Sequence, residues 1–140
     1  SVTRTGYLNE LKQLTKKLNL DNKVTYTGKK TALELKTLYQ SADVFVYPSL
    51  YENFGQPLLE AAAHGLPLIS TSVGIARDII IEGETGYQVS GKPEEIKECI
   101  ESLRNRNLRL QMGQRIQDEV KNRFDWGNIM DQYTNLYRSL

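Results

Sequence analysis

The 140-residue sequence holds one cysteine, Cys99, so no disulfide can close within the chain and a reducing compartment is expected. Cys99 lies in a helix-spaced apolar pattern, which predicts a packed small side chain rather than a reactive thiol. Charge of one sign is also lacking. Lys and Arg total 18 against 17 Asp and Glu, which excludes the broad basic field that holds a protein on nucleic acid or an anionic membrane. Any basic site must be local. No apolar run approaches the roughly 20 residues needed to cross a bilayer, and the start lacks the charged-then-apolar pattern of a secretion signal. His64 is the sole histidine, and no His, Cys and carboxylate cluster stands at metal-ligand spacing, so no metal is expected. Repeats, low-complexity tracts and linkers are absent, and the length fits one domain with a core between two layers.

What is present alternates between two periods. Tyr7, Leu8, Leu11, Leu14 and Leu18 recur every three or four residues, predicting a helix with one face down that stops near 19–22. Val24–Thr27 is β-branched and aromatic before Gly28, a short strand by composition. Thr31 with Glu34 forms a capping box ahead of Leu35, Leu38, Tyr39 and Ala42. Val44–Tyr47 is continuously apolar, as in a strand covered on both faces. Pro57 opens a helix that runs to His64, with Gly65 as its left-handed terminator. Residues 68–71 and 86–89 read as further strands. Pro93, Glu94 and Glu95 start another helix, with Ile96, Cys99, Ile100 and Leu103 on its buried stripe and Arg104, Arg106 and Arg109 towards its negative end. A last amphipathic stretch carries Trp126, Ile129, Met130, Tyr133, Leu136 and Tyr137. Strands separated by helices imply βαβ units: an α/β, Rossmann-like parallel sheet with helices on both faces. Such sheets bind ligands at the carboxyl ends of their strands, which directs attention to the loops after Thr27, Tyr47 and Thr71.

The loop after Tyr47 reads Pro48-Ser49-Leu50-Tyr51-Glu52-Asn53-Phe54-Gly55-Gln56-Pro57-Leu58-Leu59-Glu60. It joins a strand end, a glycine that lets backbone approach a ligand, and a helix N-terminus whose N–H groups favour an anion. Glu60, about one turn into that helix, can then accept hydrogen bonds from ribose hydroxyls beside a seated phosphate, while Glu52 faces a sugar on the other side. Acids near a helix start are stabilised in any case, so the solvated-charge reading of both stands beside this one.

Glu52 and Glu60, with Phe54-Gly55 between them and Ala61-Ala62 after, resemble the signature of retaining glycosyltransferases of the GT-B fold, in particular the GT4 family (glycosyl transferases group 1). Ala42-Asp43-Val44-Phe45-Val46, Gly65-Leu66-Pro67, Glu82-Gly83-Glu84-Thr85-Gly86 and the tail Phe124-Asp125-Trp126 are similar to runs in that family. The resemblance implies one half of a GT-B fold, with residues 1–140 as a partial nucleotide-sugar-binding domain. It implies Glu52 and Glu60 as the catalytic pair, Glu60 on the ribose and Glu52 on the transferred sugar. The donor site then comprises Gly28 and Lys29 beside the base, Ser49 shaping the pocket, and Asn53 with the Phe54-Gly55-Gln56 backbone at the diphosphate. The donor is a UDP- or GDP-linked hexose, with no further cofactor and no metal. The acceptor is a glycan or lipid-linked molecule held by an N-terminal domain not in this sequence, and the full enzyme is compatible with peripheral attachment to the cytoplasmic face of a membrane.

The sequence departs from the family's pattern in two places. Nothing before Thr5 matches the opening strand, the Gly-Arg loop and the diphosphate-clamping Lys, so this chain is expected to be inactive alone. Ile75 follows Gly74 where the family often has a second glycine. His64 occupies a helix C-terminus, where imidazolium is favourable for structural reasons. The residues leave the route of transfer open: front-face attack assisted by the donor phosphate, which fits the family better, or Glu52 as nucleophile. A non-catalytic nucleotide-sugar-binding subunit and a GT-B-type epimerase fragment are the alternatives, the last needing acid/base residues that the sequence does not supply.

Overall fold

The computed structural model describes residues 4–139, which divide into two compact units, one up to Leu35 and the other from Lys36. In the first, α1 (Arg4–Lys17) ends in a basic turn with Lys16 and Lys17. Asn19 then takes a left-handed φ of 54° and ends the helix where the spacing predicts. The expectation of a buried stripe is corrected: Tyr7, Leu8, Leu14 and Leu18 are exposed. Some 35 residues make too few layers to cover both sides of a helix. The buried contact of this unit is polar. Thr15 donates to the Leu11 carbonyl at 2.9 Å and shares a 2.6 Å hydrogen bond with the Tyr26 hydroxyl.

Residues 24–27 form no strand, contrary to their composition. A strand exists through a hydrogen-bonded neighbour, and the described residues offer this segment no ladder. The capping box does form: the Thr31 N–H donates to Glu34 at 2.8 Å, and the Glu34 N–H to the Thr31 hydroxyl at 3.4 Å. It opens α2 (Ala32–Ser41).

The second unit is built on a three-stranded parallel sheet of β1 (Phe45–Tyr47), β2 (Leu68–Thr71) and β3 (Gly86–Val89), in that order. Phe45 pairs with Leu68 and Leu68 with Gly86. Side chains alternate across β2, so Leu68 enters one core and Ile69 the other. The first core holds Leu58, Ala61 and Ala62 of α3 (Gln56–Ala63) and Ile79 of α4 (Ala76–Ile79). The second holds Val89 and Leu103, with Ile96 and Cys99 of α5 (Pro93–Ser102) packed against it. Helices therefore cover both faces, as a Rossmann-like α/β domain requires. Cys99 is half-buried and its thiol is pushed up, chiefly by that burial, in keeping with a packing role.

The helix at Pro93 ends at Ser102, so Arg106 and Arg109 belong to a separate helix, α6 (Arg106–Phe124), capped by the Asn105 side chain. Arg109 nevertheless serves the end of α5, because it reaches back to donate to the Leu103 carbonyl at 2.8 Å and pairs with Asp43 at 3.0 Å. Met112 of α6 enters the second core while Ile116 and Val120 enter the first. Each of these side chains contributes roughly 1.5–3 kcal/mol when buried. Gly113 lets α6 approach α3 closely: a Cβ there would stand 2.2 Å from the Gly65 carbonyl oxygen. Gln117 donates to the Ala63 carbonyl at 2.7 Å and Arg123 to the Asp78 carbonyl at 2.6 Å, so α6 also caps α3 and α4. The final helix, α7 (Trp126–Arg138), keeps Ile129 half-buried and leaves Trp126, Met130, Tyr133, Leu136 and Tyr137 exposed. No helix among the described residues is long and apolar enough to cross a membrane.

Candidate functional site

The segment singled out in the sequence begins where β1 ends and runs into α3, at the carboxyl edge of the sheet. Ser49 donates to the Tyr51 carbonyl at 3.0 Å and accepts at its own carbonyl from the Thr71 hydroxyl, which ties the loop to the end of β2. Tyr51 donates to the Asn53 side chain at 2.8 Å. Gly55 is the buried N-cap of α3, with φ 82° and no side-chain cap. Pro57 contributes no N–H to the first turn, so anion-binding capacity there rests on backbone around Gly55 and Gln56.

The loop after β2 meets this segment. Gly74 has φ 48°, and a Cβ there would stand 2.4 Å from the Phe54 carbonyl oxygen, so only glycine fits. The same carbonyl accepts from Ile75 N–H at 2.7 Å. The departure at Ile75 therefore falls on a buried residue whose backbone anchors the loop. Between the two loops lies a cleft of about 520 Å³, lined among others by Glu52, Asn53, Phe54, Gly74, Arg77 and Asp78. Ser49, Gly55, Gln56 and Glu60 do not line it.

Both acids are held by phenols. The Tyr47 hydroxyl donates to Glu52 Oε1 through a short hydrogen bond. The Tyr39 hydroxyl donates to Glu60 Oε2 at 3.1 Å, and Gln56 Nε2 to Glu60 Oε1 at 3.1 Å. Burial, together with the adjacent carboxylate, pushes each tyrosine up to about 12. Both phenols therefore stay protonated and donate across the physiological range. His64 caps the end of α3, its Nδ1 2.8 Å from the Glu60 carbonyl oxygen, which fixes the proton on Nδ1. Its ring stacks on Tyr39.

Gly28 and Lys29 lie in the first unit, exposed, on a cleft of about 510 Å³ shared with Tyr7, Leu8 and Leu11. Lys30 pairs with Glu34 at 3.1 Å. Sequence reasoning did not find Tyr39, Tyr47, Arg77 or Asp78. The two tyrosines fall on apolar stripes, and the only local hint is that a phenol drawn into a core needs a partner for its hydroxyl. Among the described residues no three or more His, Cys, Asp and Glu side chains gather as a metal site.

The second unit is of the α/β class, a parallel sheet with Glu52 in the loop at its carboxyl edge, and comparison with known proteins supplies the family. The model of the glycosyl transferases group 1 family matches residues 5–119, and the chain belongs to that family. It is 32% identical over 132 residues to D-inositol 3-phosphate glycosyltransferase of Corynebacterium urealyticum, covering 93% of this chain and 31% of that protein. Among solved structures it is similar to sucrose-phosphate synthase of Thermosynechococcus elongatus, with 31% identity and a TM-score of 0.81, covering 94% of this chain and 33% of that one. It also resembles the Anabaena protein HepE solved in complex with UDP, with 25% identity and a TM-score of 0.81, covering 97% of this chain and 38% of the other. The fold is thus part of a GT-B architecture, and the chain spans about a third of the length of the relatives it matches.

Proposed function

We propose that this chain is the donor-binding part of a retaining glycosyltransferase that moves a hexose from a UDP- or GDP-linked donor to a glycan or lipid-linked acceptor, in company with an acceptor domain. The observation that carries the reading is the pair Glu52 and Glu60, each oriented by a protonated phenol at the carboxyl edge of a parallel sheet in a group 1 family member. Glu60 accepts from the ribose hydroxyls, and Glu52 faces the transferred sugar across the cleft. Backbone at Phe54, Gly55 and Gln56 receives the diphosphate, with Asn53 beside it and Ser49 shaping the loop. Negative charge that develops on the leaving diphosphate is stabilised by oriented amides at the start of α3. This scheme calls for no resident metal or cofactor. A lipid-linked acceptor would put the work at the cytoplasmic face of a membrane.

The test separates the two acids in the full-length protein. Glu52→Gln should lower transfer rate at saturating donor by one or more orders of magnitude with nearly unchanged affinity for free nucleoside diphosphate, because its contact strengthens as charge builds on the sugar. Glu60→Ala should weaken nucleotide binding by about 1.5–3 kcal/mol. Calorimetry with UDP and GDP, together with initial rates, decides it. Identical profiles for the two variants would show that the carboxylates do not divide the donor between them.

A further inference from the structure

The two acids are joined by a row of rings. Phe45 and Tyr47 point to the same side of β1 and stack at 5.9 Å between centroids. Tyr39, from α2, meets Phe45 edge-on at 5.9 Å and stacks on His64 at 5.2 Å. The row therefore runs His64, Tyr39, Phe45, Tyr47, with Glu60 held at one end and Glu52 at the other.

At the Glu60 end the contacts close on themselves. His64 holds the Glu60 backbone carbonyl, Tyr39 holds the Glu60 carboxylate, and the two rings stack on each other. A carboxylate offers about four lone-pair sites, two on each oxygen. Tyr39 takes one on Oε2 and Gln56 one on Oε1. Each oxygen then keeps a lone-pair site that neither donor takes, so the carboxylate can accept two further hydroxyls, the number that a vicinal diol offers. At the other end Tyr47 fixes Glu52 through Oε1.

We infer that Tyr39 and Tyr47 are positioning residues that act through the carboxylates, with Tyr39, clamped by His64, setting Glu60 for the diol of a nucleoside and Tyr47 setting Glu52 for the sugar. The inference rests on the donor-site reading above and adds to it two residues, from α2 and β1, outside the motif. Each phenol holds a different carboxylate, which makes the division of labour specific. Each hydroxyl should affect one part of the ligand and leave the other alone.

The experiment uses Tyr39→Phe and Tyr47→Phe in the full-length protein, since both keep the rings and remove only the hydroxyls. Calorimetric affinities are measured for UDP, GDP, UDP-glucose and GDP-mannose, beside Glu60→Ala and Glu52→Ala. Tyr39→Phe should weaken a nucleoside diphosphate and its sugar conjugate alike, about five- to tenfold, the size of a typical net hydrogen bond, since it acts on the ligand only through Glu60. It should do nothing further in a Glu60→Ala background, where the hydroxyl has no side-chain acceptor at that position. Tyr47→Phe should leave the nucleoside diphosphate unchanged and weaken the sugar conjugate, again with no further effect in a Glu52→Ala background. If the Glu variants lose binding while both Phe variants bind as wild type, the donor-site reading stands and the positioning role is overturned. Equal losses from Tyr39→Phe with and without Glu60 would place its action elsewhere and overturn it as well. A Phe variant that unfolds at assay temperature, seen by circular dichroism, assigns that hydroxyl to the fold instead. Failure of the wild type to bind any of the four probes would remove the donor site and this inference with it.

Discussion

Helices α1 and α6 carry apolar stripes of the same period and meet opposite fates. In α1, Leu14 is 51% exposed and its unit is held by the Thr15–Tyr26 pair and the capping box. In α6, which packs on α3, Ile116 is fully buried in the first core. The α1 stripe is plain in the sequence. That of α6 is diluted by arginines, glutamines and Gly113, yet it joins both cores. Periodicity reports which residues share a face of a helix; it does not report what lies opposite that face.

The largest effect that would break the comparison is expected at Ile116. Ile116→Ala removes a fully buried core side chain and should cost about 2–5 kcal/mol in chemical denaturation followed by circular dichroism. A loss below that range would show that the α6 stripe is not part of the first core. Next comes Tyr26→Phe, which deletes the 2.6 Å contact to Thr15. Thr15 keeps its bond to the Leu11 carbonyl, so the loss should be about 1 kcal/mol, confined to amide protection in residues up to Leu35. Protection lost throughout the second unit as well would contradict the division. Leu14→Ala should change stability by less than about 0.5 kcal/mol, since an exposed leucine gives way to a better helix former. A cost like that at Ile116 would mean the α1 stripe is covered after all.

The smallest effect is a titration. The Thr31 backbone and hydroxyl, then Lys30, hold the Glu34 carboxyl at about 2 rather than 4.5. A depressed folded-state value means that this contribution is complete above 4.5 and fades as pH falls towards 2. Carbon-detected NMR of the Glu34 carboxyl should show that low midpoint, and one near 4.5 would show that the capping box is open in solution.

Much of the fold was legible because its signals are local. Pro57 and Gly65 bracket α3, Pro93 opens α5, and a continuous apolar run marks β1. The candidate site was legible for the same reason, since Glu52 to Glu60 is one continuous segment. Errors arose where a distant partner decides. Composition alone makes 24–27 a strand, but without a ladder it is not one. Arg109 was correctly placed at the end of α5 but on the wrong helix, because Asn105 caps a new helix whose first turn folds back.

The sequence by itself determined the kinds of element, their order, the parallel sheet and the position of the two acids at its carboxyl edge, because spacing, capping and turn chemistry act within a few residues. Tertiary structure alone decided which stripes are buried, that Gly74 must stay close to the Phe54 carbonyl, and that Tyr39 and Tyr47 hold Glu60 and Glu52. Tyr39 and Glu60 are 21 positions apart. A hydrogen bond over that separation leaves no periodic trace in a single chain, and its existence depends on how α2, β1 and α3 pack.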